Sequence, residues 1–207
     1  MAVPDHSIDP RIFESARKEF LANGFERSSL KVICEGAGVT TGALYKRYKG
    51  KEDLFCAVVD QTVKDLYEVA HSRGDRDPAA MSDAELIKGW DMDGPDMMWW
   101  MRFLYDRHDD FVLLLSRSDG TRYANFQHDW VAVLTNATSA FLAEAQRRGI
   151  CRTDVGPEEL HILLSAFWTT IYEPFIHGFD WEQIEQHCRI VCKLFDWYKA
   201  LEFHVEK

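Results

Sequence analysis

The chain has 207 residues, and its 46% hydrophobic content excludes a disordered protein because it is enough for a packed core. A cytoplasmic protein is expected, since the sequence shows neither a signal pattern nor an apolar run long enough to cross a membrane. The net charge of −10 argues against a nucleic-acid partner, unless that charge is unevenly distributed along the chain.

The first predicted helix begins at Asp9, which can accept a hydrogen bond at the N-cap, while Pro10 fixes φ at the first helical position. Apolar residues then recur at helical spacing as far as Phe20, and Gly24 supplies a left-handed stop. These signals predict one amphipathic helix that starts at Asp9 and ends before Gly24.

Two short helices follow, and they are joined by a tight turn that contains Gly38. Ser28 or Ser29 is expected to cap the first of them, and Thr40 the second, which covers residues 41–47. Such a pair predicts a helix-turn-helix whose second helix can enter a DNA major groove.

The basic charge of the chain is concentrated at this end. Residues 1–51 hold nine basic and six acidic residues, a net of +3, whereas the other 156 residues have a net of −13. Lys51 stands in the first turn of the next predicted helix, where a cation opposes the helix dipole by roughly 0.3–1 kcal/mol. A phosphate bound at that helix start would remove the penalty. The distribution therefore predicts a phosphate-facing head on an acidic body.

The head carries a run of short motifs: NGF at the end of the first helix, SL-x-x-I, AGV, G-x-LY-x-x-Y in the second helix of the motif, and K-x-K-E-D-L. Together they resemble the DNA-binding head of TetR-type (tetracycline-repressor-like) transcriptional regulators. The resemblance is specific over residues 9–60, and beyond them it extends only to an all-helical plan.

The resemblance implies which residues meet DNA. Phosphate contacts are implied for Ser29, Tyr45 and Lys51, backbone or first-base contacts for Thr40 and Thr41, and base-edge contacts for Gly42 and Lys46. Lys46 can donate to guanine O6 or N7, with less specificity than an arginine. Cys34 departs from the alanine more usual in the family, and it is small enough to leave the expected fold unchanged.

The body is also predicted to be helical, which makes the whole chain all-α. Residues 1–50 are interpreted as the DNA-binding head and residues 51–207 as the effector-binding and dimerisation body. Body helices are predicted over residues 51–71, after Ser82, and over 96–105, 106–116, 121–148, 157–176 and 181–198. Pro174 is expected to kink or end its helix near Glu173.

The segment 160–176 is apolar nearly all round, so two of its faces must be buried. One face would meet the body's own core and the other a second subunit, as the resemblance implies through a four-helix bundle across a two-fold axis. A deeply buried helix in a monomer would show the same pattern. A homodimer is also expected because two heads on one palindromic operator multiply the weak binding of each head to its half-site.

All seven tryptophans lie in the body. The candidate lining of an aromatic effector cavity is Trp99, Trp100, Phe103, Phe126, Trp130, Phe167 and Trp168. In the TetR-like plan such a cavity takes a small effector. The acidic body would favour a lipophilic cation, with aromatic faces adding roughly 0.5–2 kcal/mol. Aromatic residues at helical spacing are also typical of a packed hydrophobic core that binds no ligand.

The sequence contains no G-x-S-x-G, P-loop or H-E-x-x-H motif, so no enzyme, metal or cofactor is expected. Five cysteines in a chain without a signal pattern argue against a disulfide framework. Cys188 and Cys192 share a helix face and are interpreted as core residues rather than a redox or metal pair. His108 and the two aspartates after it are interpreted as an exposed helix start.

These features predict a homodimeric, ligand-responsive transcriptional regulator, a repressor that a small hydrophobic effector releases from double-stranded operator DNA. The alternative is a dimeric DNA-binding protein whose body is a protein-interaction module without a small effector.

Overall fold

The structure, a computed structural model, describes residues 9–91, 94–151 and 154–204. Those residues form α1 (Asp9–Arg27), α2 (Leu30–Ala37), α3 (Thr41–Tyr45), α4 (Lys51–Gly74), α5 (Asp83–Lys88), α6 (Gly94–Tyr105), α7 (His108–Ser116), α8 (Phe126–Arg148), α9 (Pro157–Ile176), α10 (Trp181–Leu194) and α11 (Trp197–Ala200). Their one β pairing is an isolated bridge between Cys151 and Phe203. The all-α prediction is confirmed. Within the described ranges, no helix is both long and apolar enough to cross a bilayer.

The chain divides into two compact units. Unit 1 holds α1 to α3, the part of α4 up to Asp65, and α7 with the turns that follow it to Phe126. Unit 2 holds the rest of α4, α5, α6 and the remainder of the chain from Gln127. The functional division at residue 50 stays a prediction, because compactness does not tell which residues bind DNA or an effector.

The core of unit 1 is built on the apolar face of α1. Ile12, Ala16 and Phe20 are fully buried there. The backbone leaves helical geometry at Gly24, with φ of 71°, where the sequence predicted the stop, although α1 continues beyond it to Arg27. Phe25 follows the break, and its ring lies 5.6 Å from that of Phe55 on α4, measured between centroids. The break therefore directs an aromatic side chain back into the core.

Polar side chains join α1, α4 and α7 within unit 1. Arg17 donates to both carboxylate oxygens of Asp110, at 2.5 and 3.1 Å, and Thr62 donates to the same group at 3.3 Å. This hydrogen bonding raises the pKa of Arg17. Asp110, which was read as part of an exposed helix start, is instead a half-buried link between three helices.

Pro174 does not end α9, which continues to Ile176. A proline in a helix leaves the carbonyl four residues earlier without its usual N–H partner. That carbonyl belongs to Thr170, and it accepts a hydrogen bond from His187 Nε2 of α10 at 2.8 Å. The predicted end of the helix near Glu173 is wrong, and the neighbouring α10 supplies a donor for the freed carbonyl. The kink stays a prediction.

Two other predicted helix bounds differ from the structure. The last helix stops at Leu194, and Asp196 caps a separate α11 by accepting from the Lys199 amide at 3.1 Å. The start of α8 lies at Phe126, because side-chain bonds of Ser118 hold the residues before it in turns. In both places short polar side chains satisfy backbone groups outside a helix.

The helix predicted after Ser82 is confirmed as α5, and it begins with a capping box. The Ser82 hydroxyl accepts from the Glu85 amide, and the Glu85 carboxylate accepts from the Ser82 amide at 2.8 Å. Cys188 is buried, and burial raises the pKa of its thiol to about 12, so this thiol stays protonated and packs as an apolar group.

Candidate functional site

The predicted helix-turn-helix is formed by α2 and α3. Ser29 caps α2, with its side chain accepting from the Val32 amide at 3.5 Å, and Gly38 ends the helix in the left-handed region with φ of 66°. Thr40 caps α3 by accepting from the Ala43 amide at 3.2 Å. The predicted caps Ser29 and Thr40 and the predicted turn at Gly38 are therefore confirmed.

A second glycine, Gly36, permits the close approach of α1 and α2. A Cβ atom at Gly36 would overlap Ser15 Oγ, which donates to the Ile33 carbonyl at 2.9 Å. The sequence analysis assigned a role only to Gly38, in the turn between α2 and α3. The motif contained no signal for Gly36, because the contact depends on which face of α1 meets α2.

The DNA-binding candidates on α3 lie on one exposed face. Thr41, Gly42, Tyr45 and Lys46 are exposed, and they recur at the four-residue spacing that places side chains on the same side of a helix. Tyr45 is 56% exposed, whereas its neighbour Leu44 is fully buried. The capping residue Thr40 is also exposed. The short helix is thus anchored by one leucine and presents the opposite face to solvent.

Lys51, the candidate phosphate ligand on α4, also holds the loop before α2. Its Nζ donates to the carbonyl oxygens of Glu26 at 2.8 Å and Ser28 at 3.1 Å. The same atom lies 4.7 Å from the centroid of the Phe25 ring. The ammonium group therefore binds carbonyls next to Ser29, another candidate phosphate ligand.

Arg47 belongs to the basic run from Lys46 to Lys51, but its side chain is largely buried. Its Nε donates to Asp9 Oδ1 at 2.9 Å, and its Nη1 donates to the Ala43 carbonyl at 3.3 Å. The sequence counted this arginine toward the positive field, whereas the structure shows it joining the start of α1 to α3.

Unit 2 contains a partly open cavity of about 460 Å³. Four of the seven aromatic candidates line it: Trp100, Trp130, Phe167 and Trp168. Other apolar residues that the sequence did not single out for the cavity also line it, and they are Val69, Ala70, Trp90, Met97, Leu134, Ala137, Phe141, Leu164 and Trp197. Parallel Trp100 and Trp130 rings, 6.4 Å apart and inclined by 8°, lie within that wall.

The other three aromatic candidates lie elsewhere. Trp99 is 50% exposed and stacks on Phe103, which in turn stacks on Trp100. Phe126 is buried, but it belongs to unit 1. Helical periodicity placed all three residues on apolar faces without telling which face borders a space.

The charged residues that line the cavity are of both signs. They are Arg76, Glu85, Lys88, Asp91 and Asp96. All of them are exposed except Asp91, which is half-buried, whereas the aromatic wall is largely buried. The cavity therefore combines an apolar interior with a polar edge.

A different surface of unit 2 exposes large apolar side chains. Ile162 of α9 is 60% exposed, and Ile190 and Leu194 of α10 are 57% and 69% exposed. Ile190 and Leu194 are one helical turn apart on the same face. The last two long helices thus leave apolar surface uncovered in the single chain.

Comparison with known proteins agrees with the motif. The family model described as bacterial regulatory proteins of the tetR family matches residues 12–58. The chain is 26% identical to the HTH-type transcriptional repressor AcnR of Corynebacterium glutamicum over 168 residues, which cover 80% of this chain and 78% of that protein. It is 39% identical to the HTH-type transcriptional regulator UidR of Escherichia coli K12 over 51 residues, which cover 25% and 26%.

A similar fold occurs in the crystal structure of NalD, the secondary repressor of the MexAB-OprM multidrug efflux pump in Pseudomonas aeruginosa. The TM-score is 0.61 at 20% identity, and the match covers 91% of this chain and 96% of that one. The capped helix-turn-helix, the family match over that motif and the similarity to AcnR along most of the chain have one consistent explanation. Residues 12–58 carry the DNA-binding motif of the tetR family, and the comparisons support a TetR-type DNA-binding transcriptional regulator.

Proposed function

We propose that the protein is a homodimeric repressor that binds a palindromic operator through α3 and leaves it when a small hydrophobic effector occupies the cavity of unit 2. The observation that carries the proposal is the presence, in one chain, of an exposed helix-turn-helix and an aromatic-lined cavity. The similarity to AcnR, which is named a repressor, supports repression over activation.

The DNA contacts divide into positioning and reading residues. Ser29, Tyr45 and Lys51 would bind phosphates, and Thr40 and Thr41 would lie at the backbone or first bases, with Gly42 and Lys46 at base edges. Two of the three ammonium hydrogens of Lys51 serve carbonyl oxygens, and the third can serve a phosphate. Lys51 would then hold both the loop before α2 and the DNA.

The effector would be a small, largely apolar molecule. A cavity of about 460 Å³ lies within the range of roughly 300–1,000 Å³ that is typical of small-ligand sites. Five tryptophan rings in its wall favour a flat or cationic group. Among the charged residues at its edge, three are acidic and two are basic. A concave, largely apolar cavity of this size also favours an effector over the alternative of a body that only binds another protein.

Dimerisation would cover the apolar side chains that α9 and α10 leave exposed. Ile162, Ile190 and Leu194 are each more than half exposed, and a second copy packed on these helices would bury them. Two heads held on one two-fold axis would then engage the two half-sites of a palindrome. An effector that altered their spacing would need a coupling of roughly 1–3 kcal/mol to work as a switch.

Operator binding over a range of salt concentrations tests the DNA contacts. Lys51→Ala should weaken binding to every sequence and lower the slope of log K against log salt by about 1. Lys46→Ala should change the preference among operator variants. Unchanged affinity of Lys51→Ala at every salt concentration would contradict the phosphate contact, and a uniform loss for Lys46→Ala would reassign that residue to the backbone.

Filling the cavity tests the effector. Ala137→Trp places an indole in the cavity and should abolish quenching of tryptophan fluorescence by lipophilic ligands, while operator binding persists. Ala143→Trp is the matched control, because Ala143 lies on the same helix and is exposed. If a varied ligand panel quenches neither the natural protein nor the control, although both bind operator, the body acts without a small effector.

A further inference from the structure

One stretch of chain, residues 78–91, forms an exposed side of the cavity and is called here the mouth segment. It consists of the 3-10 turn Pro78–Ala80, α5 and the residues that follow α5. Glu85, Lys88 and Gly89 of this segment line the cavity and are exposed. Any molecule that enters the cavity on this side must pass these residues.

Arg148, the last residue of α8, holds the start of the mouth segment. Its Nη1 donates to the Met81 carbonyl at 2.7 Å and to Asp83 Oδ1 at 2.9 Å, and its Nη2 donates to the first two carbonyls of the 3-10 turn, each at 3.1 Å. Its Nε donates to Glu144 Oε1 at 2.6 Å. A guanidinium has five N–H groups, and each has an acceptor here. Four of the five tie the mouth segment to α8.

The rest of the mouth segment has few buried side chains. Leu86 and Trp90 are buried, and the Trp90 ring packs 6.0 Å from the rings of Trp197 and Phe203. The capping box satisfies the start of α5 from within the segment itself. A short, self-capped helix with little buried apolar area is the kind of element that opens locally at low free-energy cost.

The hydrogen bonds that Arg148 donates to the mouth segment are called here the clamp. The residues that support the clamp and those that line the cavity lie along one face of α8. Leu134, Ala137 and Phe141 line the cavity at helical spacing. Glu144 and Arg148 continue the same spacing toward the end of the helix. Arg148 itself does not line the cavity, so it can affect passage without forming part of the binding surface.

We propose that the mouth segment is the gate through which the effector reaches the cavity, and that Arg148 is the positioning residue that determines how often the gate opens. This inference rests on the proposed effector function. Because Arg148 does not line the cavity, loss of the clamp would leave the binding surface of the closed state in place. It would therefore accelerate entry and exit together and leave the equilibrium affinity nearly constant.

The test uses the full chain and the neutral fluorescent probe N-phenyl-1-naphthylamine, followed by stopped flow. Arg148→Met should raise both the association and dissociation rate constants about tenfold, with a dissociation constant within about threefold of the natural value. Arg147→Met is the matched control, because Arg147 binds the same Glu144 but is 68% exposed and does not contact the mouth segment. Its rate constants should stay within about twofold of those of the natural protein.

Two further measurements keep the proposal testable if Arg148→Met folds poorly or the probe does not bind. Asp83→Ala removes one acceptor of the clamp and should raise the same rates by a smaller factor. Amide exchange across residues 83–90 should be faster in either variant, with or without a probe. A natural protein that binds no probe would count against the effector function, whereas unchanged exchange in both variants would overturn the gate. Faster exchange with unchanged probe rates would also overturn it, because the probe would then enter elsewhere.

Discussion

The DNA-binding motif and the cavity differ in how their working residues are exposed to solvent. On α3 the candidate contacts face solvent, and a single buried leucine anchors the helix. In unit 2 the working surface is the inside of a wall of large aromatic side chains. The motif depends on caps and turns that act over a few residues, whereas the cavity depends on how separate helices pack. The two regions should therefore respond differently to single substitutions.

The largest difference is expected between two adjacent residues of α3. Leu44→Ala removes the buried anchor and should lower the free energy of unfolding by about 2–5 kcal/mol. Tyr45→Ala changes an exposed residue, so stability should stay within about 0.5 kcal/mol while operator affinity falls. Denaturant unfolding at a fixed protein concentration and anisotropy with labelled operator measure the two effects. Equal losses of stability would mean that Tyr45 also anchors the helix.

Sequence reasoning predicted the DNA-binding motif well because its signals are local. The caps Ser29 and Thr40 and the turns at Gly24 and Gly38 each act within a few residues, and all four occur in the structure. The contacts that it missed join residues far apart in sequence. Arg47 binds Asp9, thirty-eight positions away, and nothing near Arg47 indicates that partner.

The cavity was less predictable for the same physical reason. Periodicity shows which face of a helix is apolar, but it does not show whether that face meets another helix or borders a space. Trp130 lines the cavity while Phe126, one helical turn earlier, is buried in the other unit. Pro174 is a similar case, because the donor that lets α9 continue comes from another helix.

The donor to the Thr170 carbonyl offers an intermediate effect within unit 2. His187→Ala should lower the free energy of unfolding by about 1–3 kcal/mol, because it leaves this carbonyl without the imidazole. In a protein that also carries Pro174→Ala, residue 174 has a backbone N–H again, and this group can donate to the Thr170 carbonyl. The cost of His187→Ala should then fall by at least about 0.5 kcal/mol, which unfolding of all four proteins in a double-mutant cycle measures. Additive costs would mean that the histidine stabilises the protein by packing alone.

The smallest expected effect is on the stability of the protein at acid pH. One carboxylate from each unit is compared. Hydrogen bonds from Arg147 and Arg148 lower the pKa of Glu144 to about 2, whereas the pKa of Glu14 in unit 1 is lowered mainly by its hydrogen bond with Lys18. A depressed folded-state pKa means that the stabilisation is present above the unfolded value of 4.5 and is lost as pH falls toward the folded value. Glu144→Gln should therefore reduce stability near pH 6, and its difference from the natural protein should shrink between pH 4.5 and about 2.

Glu14→Gln should show a weaker form of the same profile, because its partner is a single exposed lysine. Equal profiles in urea titrations across this range would mean that the second arginine adds nothing, and that the clamp on the mouth segment does not depend on the charge of Glu144.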